Sequence, residues 1–370
     1  MATAATGKVS VVAAEDFWGS IARQLGGDHA DVTSIISDPD TDPHDYEAKP
    51  QDGALMATAQ VAVVNGIGYD GWADKLLAAN PSSSRKVVTV GDVVGVKEGG
   101  NPHQWYSPKS VNSVIDAITN ALKQADPADS AYFDTQRQAY RDQGLKRYND
   151  LRAQVKQQFG GTAVGASESI FAPLASDLGL KLLTPESFLD AIAEGNEPTA
   201  RDKATVDQQI TGKQIKVFVY NSQNSTPDVD ALVQKAKQAG IAVTTVTETL
   251  TPKGATFQDW QANQLQSLSD ALAQATGKPA VGVSAAQAPA GAAADAAPAP
   301  DPAATSGADP AAAPTAPLAR TGSSSRWLVL LAGAALVLGG LSLTGGSAGR
   351  RRFGLAAAGV RRNRPPTRGE

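Results

Sequence analysis

The chain has 370 residues, no cysteine, three histidines and a formal charge of −4 at pH 7. That length suits two compact lobes and a tail, and the small net charge gives no ground for proposing a nucleic-acid partner. Without thiols there is neither a disulfide framework nor a cysteine-bound metal, so any metal must be held by nitrogen and oxygen donors.

In chain order, Lys8-Val9-Ser10-Val11-Val12-Ala13-Ala14 is a short apolar run fit for a buried strand. Val32-Thr33-Ser34-Ile35-Ile36 and Val61-Ala62-Val63-Val64 repeat the pattern, with helical periodicity over residues 17–25 and 72–79 separating the runs. Strands alternating with helices predict an α/β fold with a parallel sheet covered on both faces. A helix is expected over residues 108–122. After Asp126-Pro127, residues 128–159 read as one long polar helix able to bridge two lobes. Its apolar positions Tyr132, Phe133, Tyr140, Leu145, Tyr148, Leu151 and Val155 recur mostly by threes and fours. A second series of strands follows at Ala163-Val164-Gly165, Lys181-Leu182-Leu183, Val217-Phe218-Val219-Tyr220 and Ala242-Val243-Thr244-Thr245-Val246, with helices around Ala172, Ala204, Leu232 and Leu265. The expected organisation is an N-terminal lobe over 1–126, a linking helix over 127–160 and a second lobe over 161–277. Residues 278–317 are Ala- and Pro-rich without apolar periodicity and read as a disordered linker. Residues 318–370 hold Leu318-Ala319-Arg320-Thr321-Gly322, an apolar stretch over 327–343 and Arg350-Arg351-Arg352.

Two histidines sit in matching loops after hydrophobic runs, Asp42-Pro43-His44-Asp45-Tyr46-Glu47 and Asn101-Pro102-His103-Gln104-Trp105. Each proline fixes its own φ and biases the preceding residue to extended geometry, so the imidazole projects from a stiff loop. Such imidazoles suit a metal, although histidine is also an ordinary satisfied polar group. The third, in Gly26-Gly27-Asp28-His29-Ala30, reads as a solvated loop side chain.

With Val63-Val64-Asn65-Gly66-Ile67-Gly68-Tyr69-Asp70-Gly71-Trp72 and Lys253-Gly254-Ala255-Thr256-Phe257, these loops occur in one order over roughly residues 8–277. In that combination the chain resembles the metal-specific solute-binding proteins of ATP-driven zinc and manganese importers. The resemblance implies an α/β fold of two doubly wound lobes joined by one long rigid helix, with the metal in the cleft between them. It implies a monomeric extracytoplasmic receptor, not an enzyme, that binds one divalent metal ion, zinc or manganese, and delivers it to an ABC permease and its ATPase subunit. His44 and His103 would supply imidazole nitrogen, and Glu168 in Ser167-Glu168-Ser169-Ile170-Phe171 stands where the family places its third ligand. Glu168 also reads as a helix N-terminal carboxylate. Many relatives carry an aspartate after the glycine of the late loop, where this chain has Ala255. The fourth position is therefore left to Asp259, Gln258 or water, although Asp259 matches a residue of the family's helix rather than its ligand and reads first as a surface or capping carboxylate. Two imidazoles and a carboxylate accept zinc tetrahedrally and manganese at higher coordination. A zinc hydrolase would use the open position with Asp45 or Glu47 as base, but the chain lacks a His-Glu-x-x-His helix. A cell-surface adhesin or scaffold with a vestigial metal site would leave the paired Pro-His loops unexplained.

The pentapeptide Leu318-Ala319-Arg320-Thr321-Gly322, the apolar stretch and the basic tail resemble the cell-wall sorting signal read by sortases of Gram-positive bacteria, with Ala in place of the usual Pro. The resemblance implies cleavage after Thr321 and its attachment to peptidoglycan; a single transmembrane anchor is the alternative. Residues 1–7 lack the basic start and apolar core of a secretory signal, so the start is expected to be truncated.

Overall fold

A computed structural model describes residues 7–39, 41, 43, 46–224 and 226–282. The linker beyond 282, the sorting pentapeptide and the apolar stretch lie outside these residues, as do His44 and Asp45. Among the described residues no helix is long and apolar enough to cross a membrane.

The fold is α/β, and each lobe is built on a four-stranded parallel sheet. In the first, β1 (Val9–Glu15), β2 (Ala30–Ile36), β3 (Val61–Val64) and β4 (Lys86–Thr89) lie in the order β2-β1-β3-β4. In the second, β5 (Ala163–Ala166), β6 (Lys181–Leu182), β7 (Val217–Asn221) and β8 (Ala242–Val246) lie in the order β6-β5-β7-β8. The two lobes thus repeat one topology. In both, the central strands are buried, which is why β1, β3 and β7 are near-continuous apolar runs rather than alternating ones.

Helices α1 (Asp16–Gly26), α2 (Pro50–Thr58), α3 (Gly71–Ala79), α4 (Val90–Val94) and α5 (Pro108–Ala125) cover the first sheet. Local chemistry starts several of them. Pro50 and Pro108 occupy first-turn positions, where a missing N–H is harmless, and the Ser107 hydroxyl accepts from Ser110 N at 3.3 Å. Strand β4 and helix α2 were not expected from the sequence; β4 is a short edge strand whose Val87 is exposed.

The linking segment departs from a single uninterrupted helix. It opens with a 3₁₀ turn at Pro127–Asp129, continues as α6 (Ser130–Ala139), passes through a π-helical turn at Tyr140–Gly144 and resumes as α7 (Lys146–Phe159). Leu145 N donates to Tyr140 O at 2.8 Å, closing the wider turn. Five residues of α-helix rotate through about 500°, which would put Tyr140 and Leu145 on different faces. The π turn lets both be buried. It also requires Gly144, because a Cβ there would lie 2.7 Å from Tyr140 Cδ2. The histidine read as solvated is tied to this segment: His29 stacks on Tyr132 with centroids 3.8 Å apart and pairs with Asp129.

In the second lobe, α8 (Ala172–Asp177), α9 (Glu186–Ala193), α10 (Ala200–Thr211), α11 (Pro227–Gln238) and α12 (Phe257–Thr276) accompany the sheet. Thr199, Thr226 and Thr256 each accept a backbone N–H at the start of α10, α11 and α12. Helix α12 packs on both α1 and α7, and one apolar core runs without a break from β1 through the linking segment to Phe257, Trp260 and Leu265. Polar bonds cross between the lobes as well. Phe257 N donates to Ser20 Oγ at 2.9 Å, and Leu250 N donates to both carboxylate oxygens of Asp16 at 3.3 Å. Burial pushes the Asp16 carboxyl up to about 6 against the opposing pull of the Leu250, Phe17 and Asp16 N–H groups.

Candidate functional site

The carboxyl ends of parallel strands from both sheets meet in one place, where ligands collect in open α/β folds. Glu168 follows β5, Asn221 ends β7 and Glu248 lies two residues beyond β8. From the first lobe come His103, in the loop between α4 and α5, and Tyr69, in the loop after β3. His103, Glu168 and Glu248 are all buried, and one donor atom from each lies within 4.8 Å of the other two.

The His103 imidazole is oriented by Asn101. Asn101 Nδ2 donates to Ser169 O across the cleft at 2.8 Å, which turns Asn101 Oδ1 back toward its own loop. That oxygen accepts from His103 N at 2.9 Å and stands 2.9 Å from His103 Nδ1. Nδ1 must then carry the proton, and the Nε2 lone pair is the one available to a cation. Trp105 packs edge-on against the same ring at 5.1 Å and stacks on Phe17 at 4.2 Å, so the loop is anchored in the core.

The two carboxylates are held by neutral donors. Asn221 Nδ2 donates to Glu168 Oε1 at 2.7 Å and to Glu248 Oε1 at 2.9 Å. Asn224 Nδ2 donates to Glu168 Oε2 at 2.7 Å, and the Tyr69 hydroxyl reaches over from the other lobe to Glu248 Oε2, also at 2.7 Å. Gln223 accepts from Glu248 N and Thr249 N at 2.7 and 3.0 Å, which fixes the backbone that carries Glu248.

Tyr69 owes its position to a tight loop in which Gly66, Ile67 and Gly68 have φ of 68, 61 and 80°. Glycine at 66 is needed twice over, since a Cβ there would lie 2.9 Å from Thr89 Cγ2. Asp70 closes this loop by accepting from Asn65 N and Gly66 N, each at 2.7 Å, while Asn65 Nδ2 donates to Pro102 O at 3.0 Å and so ties it to the His103 loop. Burial pushes Asp70 up to about 6 despite those two N–H groups. Beneath it, burial and the neighbouring Asp70 raise the Glu15 carboxyl well above the usual range.

Of the residues expected from sequence, His103 and Glu168 are brought together, and His44 lies outside the described residues. Next to it, Pro43 is buried, and Tyr46 packs against Trp72 at 4.8 Å and donates to Asp52 at 2.7 Å. Asp259 is not brought to the cluster. It sits in the first turn of α12, where it accepts from the Thr256 hydroxyl at 2.7 Å and faces Arg147 at 3.8 Å with its side chain 58% exposed. Its chemistry there is that of a capping carboxylate. Gln258 pairs with Gln24 at 2.7 Å, and Ala255 packs on the core. Glu248 was missed from sequence, although Thr247-Glu248-Thr249 directly after a strand repeats the setting of Glu168; attention to strand ends rather than to the late glycine would have found it.

One imidazole and two carboxylates converging on one point describe a cation-binding cluster. The model of the family "ZnuA: Zinc-uptake complex component A periplasmic" matches residues 11–271. The chain belongs to this family. Its members are solute-binding receptors rather than enzymes. The receptor is 29% identical over 185 residues to the "Iron-binding protein YfeA" of Yersinia pestis, covering 47% of this chain and 58% of that one. To the "Manganese-binding lipoprotein MntA" of Bacillus subtilis it is 24% identical over 232 residues, 60% of this chain and 74% of the relative. Among solved structures, a manganese-bound mutant periplasmic metal binding protein from Candidatus Liberibacter asiaticus matches with a TM-score of 0.62 at 21% identity, over 72% of this chain and all of that one. The FpvC binding protein of Pseudomonas aeruginosa in complex with Mn2+ matches with a TM-score of 0.58 at 20% identity, over 72% of this chain and 98% of that one. These likenesses are of fold.

Proposed function

We infer that the protein is an extracytoplasmic receptor that binds one divalent transition metal ion between its lobes and hands it to an ABC permease driven by an ATPase subunit. The observation that carries this reading is the buried cluster of His103, Glu168 and Glu248 with donor atoms within 4.8 Å of one another. Two carboxylates balance the charge of one dication, and His44 is assigned as the remaining donor. Zinc and manganese both suit such a nitrogen and oxygen set; the two carboxylates favour the harder manganese, whereas intrinsic affinity favours zinc. Titration calorimetry of the full chain with Mn(II) and Zn(II) is expected to give one site per chain, with His44→Ala and His103→Ala each weakening binding by about 100-fold or more. Wild-type affinity in both variants would rule the site out.

The same reading places the receptor on the cell surface through Leu318-Ala319-Arg320-Thr321-Gly322, with Thr321 joined to peptidoglycan by a sortase and the Ala/Pro-rich segment as tether. Support comes from the order of pentapeptide, apolar stretch and basic residues. About forty residues of such a chain reach on the order of 100 Å when extended, enough to visit a permease in the membrane. Muramidase is expected to release protein ending at Thr321, and Thr321→Ala to leave a membrane-held precursor. A wild-type chain retained in the membrane with its C-terminal arginines intact would replace wall attachment by a transmembrane anchor.

A further inference from the structure

Asn221 is fully buried at the end of β7, and both ends of its carboxamide are committed. Its backbone N donates to Ser167 Oγ at 3.1 Å, and its Oδ1 accepts from Gln223 N at 3.0 Å. The second bond fixes which way the carboxamide faces, so Nδ2 points at the two glutamates and divides its protons between Glu168 Oε1 and Glu248 Oε1. Resting on the metal-receptor reading, we propose that Asn221 is a positioning residue that sets metal selectivity by holding the two carboxylates at one fixed separation.

The argument is one of charge and geometry. Two buried carboxylates repel each other and would swing apart without a tie. A lysine in this place would hold them but would neutralise a charge that the cation needs, and an aspartate would add a third repelling charge. A carboxamide supplies two donors and no net charge, so both anions stay aimed at one point with their full charge available. Asn224 and Tyr69, which hold the outer oxygens Glu168 Oε2 and Glu248 Oε2, are neutral donors too. Zinc is satisfied by one oxygen from each glutamate in a tetrahedral shell, whereas manganese draws on more oxygen atoms at longer bonds. The spacing of the carboxylates therefore matters more to manganese.

The test compares Mn(II) and Zn(II) affinities of the full chain by competition titration in the wild type, Asn221→Leu and Asn221→Ser, with circular dichroism to confirm folding. Leucine keeps the volume without donors; serine is smaller and keeps one. Asn221→Leu is expected to weaken Mn(II) by about 100-fold and Zn(II) by about 10-fold, the range found when groups supporting a metal's ligands are removed. Asn221→Ser is expected to shift the ratio in the same direction by less. Equal weakening of both metals, as a general loosening of the lobe produces, overturns the proposal, and so does an unchanged ratio in Asn221→Ser should the leucine variant fail to fold. A wild-type chain that binds neither metal overturns the receptor reading itself, an outcome distinct from the other two.

Discussion

Glu248→Ala is expected to lower the affinity for Mn(II) by on the order of 100-fold or more, equivalent to about 3 kcal/mol or more of binding free energy. Asp259→Ala is expected to leave it within about a factor of 2–3, the ordinary spread for such contributions. Both are acidic residues of the same late region, eleven positions apart in sequence, and the structure treats them oppositely. Glu248 is 3% exposed and shares Asn221 with Glu168, so its removal takes one charge of two from a buried site and leaves a donor of Tyr69 without its acceptor. Asp259 bonds Thr256 and faces Arg147 at the surface, where an ion pair is screened by water. Calorimetric titration of the two variants beside the wild type decides the matter. Strong loss in Asp259→Ala with wild-type behaviour in Glu248→Ala would move the fourth donor from β8 to α12.

Trp105→Ala is expected to destabilise the metal-free protein by about 3–5 kcal/mol, the range for large aromatic truncations in a core. The side chain is fully buried and meets four rings: Phe17 at 4.2 Å, Tyr69 and His103 at 5.1 Å and Tyr106 at 6.3 Å. It is the packing link between α1, the Tyr69 loop and the His103 loop, so the cavity left behind opens beneath the donor cluster and metal affinity should fall together with stability. Trp105→Phe is expected to be much milder, because Trp105 Nε1 has no hydrogen-bond partner among the described residues and only volume is lost. Thermal unfolding of both variants without metal measures the difference. A melting temperature for Trp105→Ala within about a degree of wild type would mean that the loop is held by its polar bonds alone.

The alternation of apolar runs and helical periodicity determined the α/β class and the placing of β1, β3 and β7, because strands buried on both faces must be apolar at successive positions. The proline before His103 likewise marked a stiff loop from sequence, since the ring constraint is local. Asn101 and Asn221 carried no such mark. An asparagine becomes a strut only when its two ends meet partners 68 and 27 residues away, as Asn101 does at Ser169 and Asn221 at Glu248. Glu248 was marked only by its place just after a strand. What separates that buried donor from Asp259, a cap, is which way the chain turns after β8 and where α12 docks on the first lobe. The π turn at Tyr140–Gly144 left only the step of five from Tyr140 to Leu145 as its mark in an otherwise α-helical pattern, and the burial of both side chains shows what that step requires. Local covalent and steric constraints thus spoke through the sequence, whereas the choice among chemically equivalent carboxylates and carboxamides rested on burial and long-range partners that exist only after both lobes have closed on one core.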